Sequence, residues 1–113
     1  MKKKYYHQKL IRDKIPEKIK VSGDNYKTRV LGKVEFEKEI KKKLVEESKE
    51  AAYAPKEELL NELADVLELA KSIASHYKIP FSRVEKFQEE KRQKRGGFKK
   101  KLFLIWSTGK AGK

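Results

Sequence analysis

The chain has 113 residues, 42% charged and 37% hydrophobic, with 30 Lys and Arg against 17 Asp and Glu and a net charge of +13. That length suits one small domain with a modest core, and the apolar share argues against disorder. The lack of cysteine excludes disulfides and thiolate metal sites; no apolar run approaches the roughly 20 residues of a membrane span, and the opening MKKKYYHQK lacks the apolar stretch of a secretory signal, so a cytoplasmic protein with no membrane partner is expected.

In chain order, Pro16 in RDKIPEKIK predicts the start of a short helix that Gly23 ends. Residues 26–32, YKTRVLG, read as extended and close in a turn. From Lys33 to about Ala54 the pattern is helical, with Phe36, Ile40, Leu44 and Ala51 on one stripe. Pro55 fits the first turn of a second helix, where Glu57 and Glu58 suit the positive end of the dipole. That helix runs to about Tyr77 and stops before Pro80. Ser82 followed by Glu85 reads as a capping box for a third long helix, to about Arg95, which Gly96 and Gly97 break. Residues 101–106, KLFLIW, are the best strand candidate. The expected fold is mostly α: a small helical bundle with two central antiparallel helices and at most a short β element near the termini. It forms one domain over residues 1–113, with a core over about 9–104 and basic tails at 1–8 and 105–113.

The acids carry the chemical signal. At about 100° per residue, Glu62 falls inside the apolar arc of the second long helix, set by Leu59, Leu63, Val66, Leu67, Leu69, Ala70, Ile73 and Ala74. Asp65 falls roughly 40° outside it. On the first long helix Glu47 falls in the middle of the stripe and Glu50 at its edge. Each helix thus places one acid in its core-facing stripe and a second acid three residues later, at the rim. Buried carboxylates are costly unless paired or bound to metal. The only nearby cation on these stripes is Lys43, which can reach one of the acids. Antiparallel packing through the short connection at Pro55 brings the four acids together, and four negative groups require a cation. All-oxygen ligands suit Mg²⁺ or Mn²⁺, and the two histidines, His7 and His76, lie too far apart in sequence to support zinc.

EESKE (Glu46, Glu47, Glu50) followed by ELAD (Glu62, Asp65) resembles the EExxE and ExxD motifs of the MazG-like, all-α nucleoside triphosphate pyrophosphohydrolases. KLIRDKIPEKI, residues 9–19, and KRGGFKKKLFL, residues 94–104, resemble the ends of the phosphoribosyl-ATP-pyrophosphohydrolase-like branch, so the likeness covers most of the chain. The resemblance implies cleavage of a (d)NTP or related nucleotide between the α and β phosphates, giving a monophosphate and pyrophosphate, as in nucleotide-pool house-cleaning. It implies Mg²⁺ held by Glu47, Glu50, Glu62 and Asp65. It also implies a homo-oligomer, a dimer or a tetramer, with sites near subunit interfaces.

Elementary chemistry fits that expectation. Phosphoryl transfer depends on positioning and electrostatics. Glu46 and Glu50 are the two candidates to orient or deprotonate the attacking water. Lys9, Arg12 and Lys14 precede a helix start, while Lys91, Arg92, Lys94 and Arg95 end a helix beside two glycines. Of these, Lys9, Arg12, Lys14, Lys91 and Arg95 are the candidates to hold substrate phosphates, arginine through its bidentate fork. The rival readings are a basic nucleic-acid-binding module, with Tyr5, Tyr6 and Trp106 as stacking residues, and a non-catalytic interaction protein. Inward-phased acids disfavour the first, and the complete set of four acids disfavours the second.

Overall fold

Helix is the only regular secondary structure among the described residues, 3–110 of this computed structural model. The outermost residues of the two basic tails, 1–2 and 111–113, lie outside them. The helices are α1 (Ile15–Val21), α2 (Lys33–Tyr53), α3 (Leu59–His76) and α4 (Phe81–Arg95), with a 3-10 turn at Lys56–Glu58. The chain divides into two units, residues up to Lys78 and residues from Ile79 onward. No helix among the described residues is long and apolar enough to cross a membrane.

In the first unit Pro16 stands in the opening turn of α1, where its missing N–H costs nothing. The α1 end is closed by Ser22, whose backbone N–H and Oγ bond back to Lys18 O (3.1 Å) and Ile19 O (2.8 Å), and by Gly23 at φ +84°. Gly32 caps α2 with an extended backbone, and its carbonyl accepts the Phe36 N–H at 2.9 Å. Arg29 locks onto Glu35 in the first turn through two hydrogen bonds of 2.8 and 2.6 Å. Ala54 ends α2 in the extended region (ψ 142°), the conformation that a following proline imposes. Pro55 is itself extended and precedes the 3-10 turn, so α3 begins at Leu59. The proline thus serves as connector and does not occupy the helix's first turn.

α2 and α3 pack against each other and form the central antiparallel pair. Ile40 on α2 and Leu69 and Ala74 on α3 are the buried apolar residues among those described. Each large aliphatic side chain buried there contributes about 1.5–3 kcal/mol. Towards the start of α3, Leu59, Leu60, Leu63 and Leu67 are 36–83% exposed.

In the second unit Pro80 caps α4, its carbonyl accepting the Arg83 N–H at 2.9 Å. The proline takes the N-cap that Ser82 was expected to fill, so Ser82 lies inside the first turn and the Ser82–Glu85 capping box does not form. α4 ends as expected at Arg95. Gly96 follows at φ +82°, a left-handed conformation that suits glycine, and its N–H bonds to Arg92 O at 2.7 Å. The strand expected at residues 101–106 is absent. A strand needs a neighbour for its backbone N–H and C=O groups, and no other strand occurs among the described residues. Instead Lys101 adopts φ +56° and bonds its N–H to Phe98 O (3.1 Å), which breaks the segment at its start.

The small core concentrates stability in few side chains. Ile40→Ala should lower the unfolding free energy by about 2–5 kcal/mol. Val30→Ala, at a side chain 98% exposed, should stay within about 0.5 kcal/mol. Urea unfolding of the two variants checks the contrast.

Candidate metal centre

The α2–α3 seam positions the acids. Glu47 lies one turn beyond Leu44, and Glu62 lies one turn into α3, so the antiparallel pair sets them opposite each other near the connection. Glu47, Glu62 and Asp65 each present a carboxylate oxygen, and these oxygens lie within 4.8 Å of one another. All three residues are half-buried. Glu47 Oε2 and Glu62 Oε2 are shielded from solvent and accept no hydrogen bond. An orphaned buried carboxylate oxygen is costly, and two side by side, converging on a third acid, form a donor set that fits a hard divalent cation.

Glu50 and Glu46 are exposed. Glu50 stands outside the 4.8 Å group, yet its charge acts on both seam glutamates. Burial pushes the Glu47 carboxyl up from the ordinary glutamate range; the charges of Glu50 and Asp65 add to this, and Lys43 opposes it. Burial also raises the Glu62 carboxyl, with the charges of Glu50, Glu47, Asp65 and Glu58 following. Lys43, at the rim of the stripe as its phase predicts, brings Nζ to 4.0 Å from Glu47 Oε1.

The expected phosphate-binding cations fall into two groups. Lys9, Arg12 and Lys14 belong to the first unit and are exposed. Arg12 reaches the acids directly, its guanidinium donating to Asp65 Oδ1 at 2.8 Å. Lys14 is the N-cap residue of α1 and lines a shallow surface groove with Glu17, Lys18, Val21 and Ser22. Lys91 and Arg95 belong to the second unit. Lys91 Nζ sits 5.1 Å from the centre of the Phe87 ring, and Arg95 is the exposed last residue of α4. Arg92 lies against Gly97, where an added Cβ would meet its Nε at 3.7 Å.

Two contacts escape a reading of helical phase. One is the Arg12–Asp65 pair, because a loop side chain has no period. The other is His76, at the far end of the seam, whose Nε2 lies 2.8 Å from Glu37 Oε2. A carboxylate only accepts, so Nε2 carries the proton. Phe36 packs against the His76 ring at 5.0 Å between centroids. These residues border a groove of about 490 Å³ lined by Phe36, Glu68, Lys71, Ser72, Ser75 and His76. The signal for the Glu37–His76 pair was the register: continuing the antiparallel pairing about three to four turns from Glu47 and Glu62 leads to it. That groove begins at Glu68, one helical turn beyond Asp65, and runs along α3 to His76.

Compared with known proteins, the chain matches no family model, no curated protein and no solved structure.

The raised carboxyls set a sign for stability. A carboxyl with a raised pKa in the fold holds its proton more tightly than in the unfolded chain. Its contribution is full below the unfolded pKa and is lost as pH rises through the folded one. Glu35, held low by its hydrogen bond from Arg29, works in the opposite sense but is common to every variant of the seam. In chelator, acidification from neutrality towards the ordinary carboxylate range should therefore raise the wild-type melting temperature relative to a Glu47→Gln, Glu62→Gln double variant. Melting curves of both proteins across that range test this.

Proposed function

We propose that the chain is a divalent-cation-dependent nucleotide pyrophosphohydrolase of the MazG-like, all-α kind. It cleaves a (d)NTP or a related nucleotide to a monophosphate and pyrophosphate in cytoplasmic nucleotide-pool house-cleaning. The observation that carries this reading is the pair of solvent-shielded oxygens without donors, Glu47 Oε2 and Glu62 Oε2, converging with Asp65. Glu47, Glu62 and Asp65 would hold Mg²⁺ or Mn²⁺, with Glu50 as the fourth ligand. A cation bound there supplies positive charge towards phosphate oxygens and acidity to a nearby water.

The remaining roles belong to the chain's own side chains. Glu50 and Glu46 stand one turn apart on the exposed flank of α2, where a carboxylate can orient a water and take its proton. Arg12 approaches the cluster from the N-terminal segment, with Lys9 and Lys14 on either side in sequence, and the three supply cationic donors for phosphate oxygens. Lys91 and Arg95 are the corresponding candidates in the second unit.

Self-association is part of the same reading. Leu59, Leu60, Leu63 and Leu67 in the first half of α3 remain 36–83% exposed, and a second copy packed there in a symmetric dimer, or a tetramer built from it, would remove that surface from water.

Incubation with Mg²⁺ over a panel of nucleotides should release intact pyrophosphate and a monophosphate. Release of orthophosphate with a diphosphate left behind would contradict the proposal. Glu47→Gln and Glu62→Gln should each lower turnover by about 10²-fold or more, the scale on which loss of a preorganised polar group acts, while circular dichroism stays helical. Light scattering should report a dimer or tetramer at micromolar concentration, and Leu63→Glu with Leu67→Glu should shift it to monomer. A fully active wild-type monomer would refute the assembly.

A further inference from the structure

Arg12 meets the acidic cluster from outside the helix pair. α1 makes no close backbone approach to another helix, so this ion pair is a direct tie between the N-terminal segment and the α2–α3 seam. The position of Arg12 is fixed locally: its carbonyl accepts the Ile15 N–H at 3.1 Å in the turn that opens α1. Among the described residues the guanidinium donates one hydrogen bond, to Asp65 Oδ1, and the two side chains remain 55% and 31% exposed. Asp65 is at the same time one of the three acids whose oxygens converge within 4.8 Å.

A guanidinium and a divalent cation compete for the same carboxylate. Both are positive, and each is repelled by the other at close range. An exposed, single-donor ion pair is a weak contact, so it neutralises Asp65 without sealing it. Phosphate oxygens are a better partner for the guanidinium than one carboxylate oxygen, because its fork can engage two of them. The geometry points to Arg12 as the internal counter-ion of Asp65, displaced when a divalent cation binds and then engaging the phosphates of the nucleotide. This rests on the cation site proposed above. Its consequence is thermodynamic coupling. Cation alone must break the Arg12–Asp65 pair with no new partner for the arginine, whereas cation and phosphate together give Arg12 one.

The test titrates Mn²⁺ alone, then inorganic pyrophosphate into the Mn²⁺-saturated protein, by calorimetry at low ionic strength. Relief of competition should make Arg12→Ala bind Mn²⁺ about two- to fivefold more tightly than wild type, the scale of an exposed ion pair. The same variant should bind pyrophosphate at least about fivefold more weakly, having lost a charged hydrogen-bond donor. Arg12→Lys keeps the charge near Asp65 and loses the fork. It should retain wild-type Mn²⁺ affinity with weakened pyrophosphate binding, and it carries the test alone if the alanine variant does not fold. Unchanged or weaker Mn²⁺ binding in Arg12→Ala would overturn the inference by making Arg12 a prop for Asp65. Tighter Mn²⁺ binding with unaltered pyrophosphate affinity would overturn the transfer to phosphate. Arg12→Lys indistinguishable from wild type towards pyrophosphate would do the same. A wild-type protein that binds no Mn²⁺, or a Glu47→Gln variant that binds it normally, would instead refute the cation site itself.

Discussion

Mutual repulsion between Glu47 and Glu62 across the α2–α3 seam is the constraint around which the first unit is arranged. The apolar contact that joins the two helices also shields one oxygen of each carboxyl from water. Leaving charges there unpaired works against the fold, because a partly desolvated ion without a partner is unfavourable and the core that opposes it is small. Each nearby cation answers part of that constraint. Lys43 approaches Glu47 from the same helix, and Arg12 approaches Asp65 from another part of the chain. Neither reaches the two shielded oxygens. A proton or a metal ion can, and both relieve the same repulsion.

Charge is sorted by depth in this chain. The net +13 describes its exterior, where lysines and arginines dominate, while the seam at the centre of the first unit is locally anionic. An anionic ligand is drawn by the long-range positive field and would be repelled at close range by the acids unless a cation stands between them. A surface meant only for a nucleic-acid backbone has no use for such an inner negative patch.

Much of this was legible in the sequence because the relevant signals are local. Pro16, Gly32, Pro80 and Gly96 bound helices through backbone chemistry that does not depend on tertiary context, and the 3.6-residue period placed Glu47 and Glu62 on the packed side. The failures were of another kind. Ser82 lost the cap to Pro80 because two local signals competed two residues apart. Residues 101–106 have strand composition, but a strand requires a partner, which composition cannot supply. The apolar arc of α3 did not reveal how far along the helix it is covered: Leu69 and Ala74 are buried while Leu60 and Leu63, nearer the start, stay exposed, since hydrophobicity marks the residues that avoid water and not which neighbour covers them. Arg12 and Asp65 are far apart in sequence, and only the placement of the segment before α1 brings them together.

The connection between α2 and α3 has a kinetic consequence. Ala54 and Pro55 are extended and lead straight into a 3-10 turn, so the two long helices are joined by a short, stiff corner. Contacts between neighbours in sequence form fast, and a helical hairpin is among the topologies of low contact order. The acids at the closed end of that hairpin meet as soon as the helices dock, before more distant parts of the chain add anything. Like charges then oppose the docking step itself. Ionic composition should therefore govern how quickly this pair of helices comes together, independently of how firmly the finished fold holds.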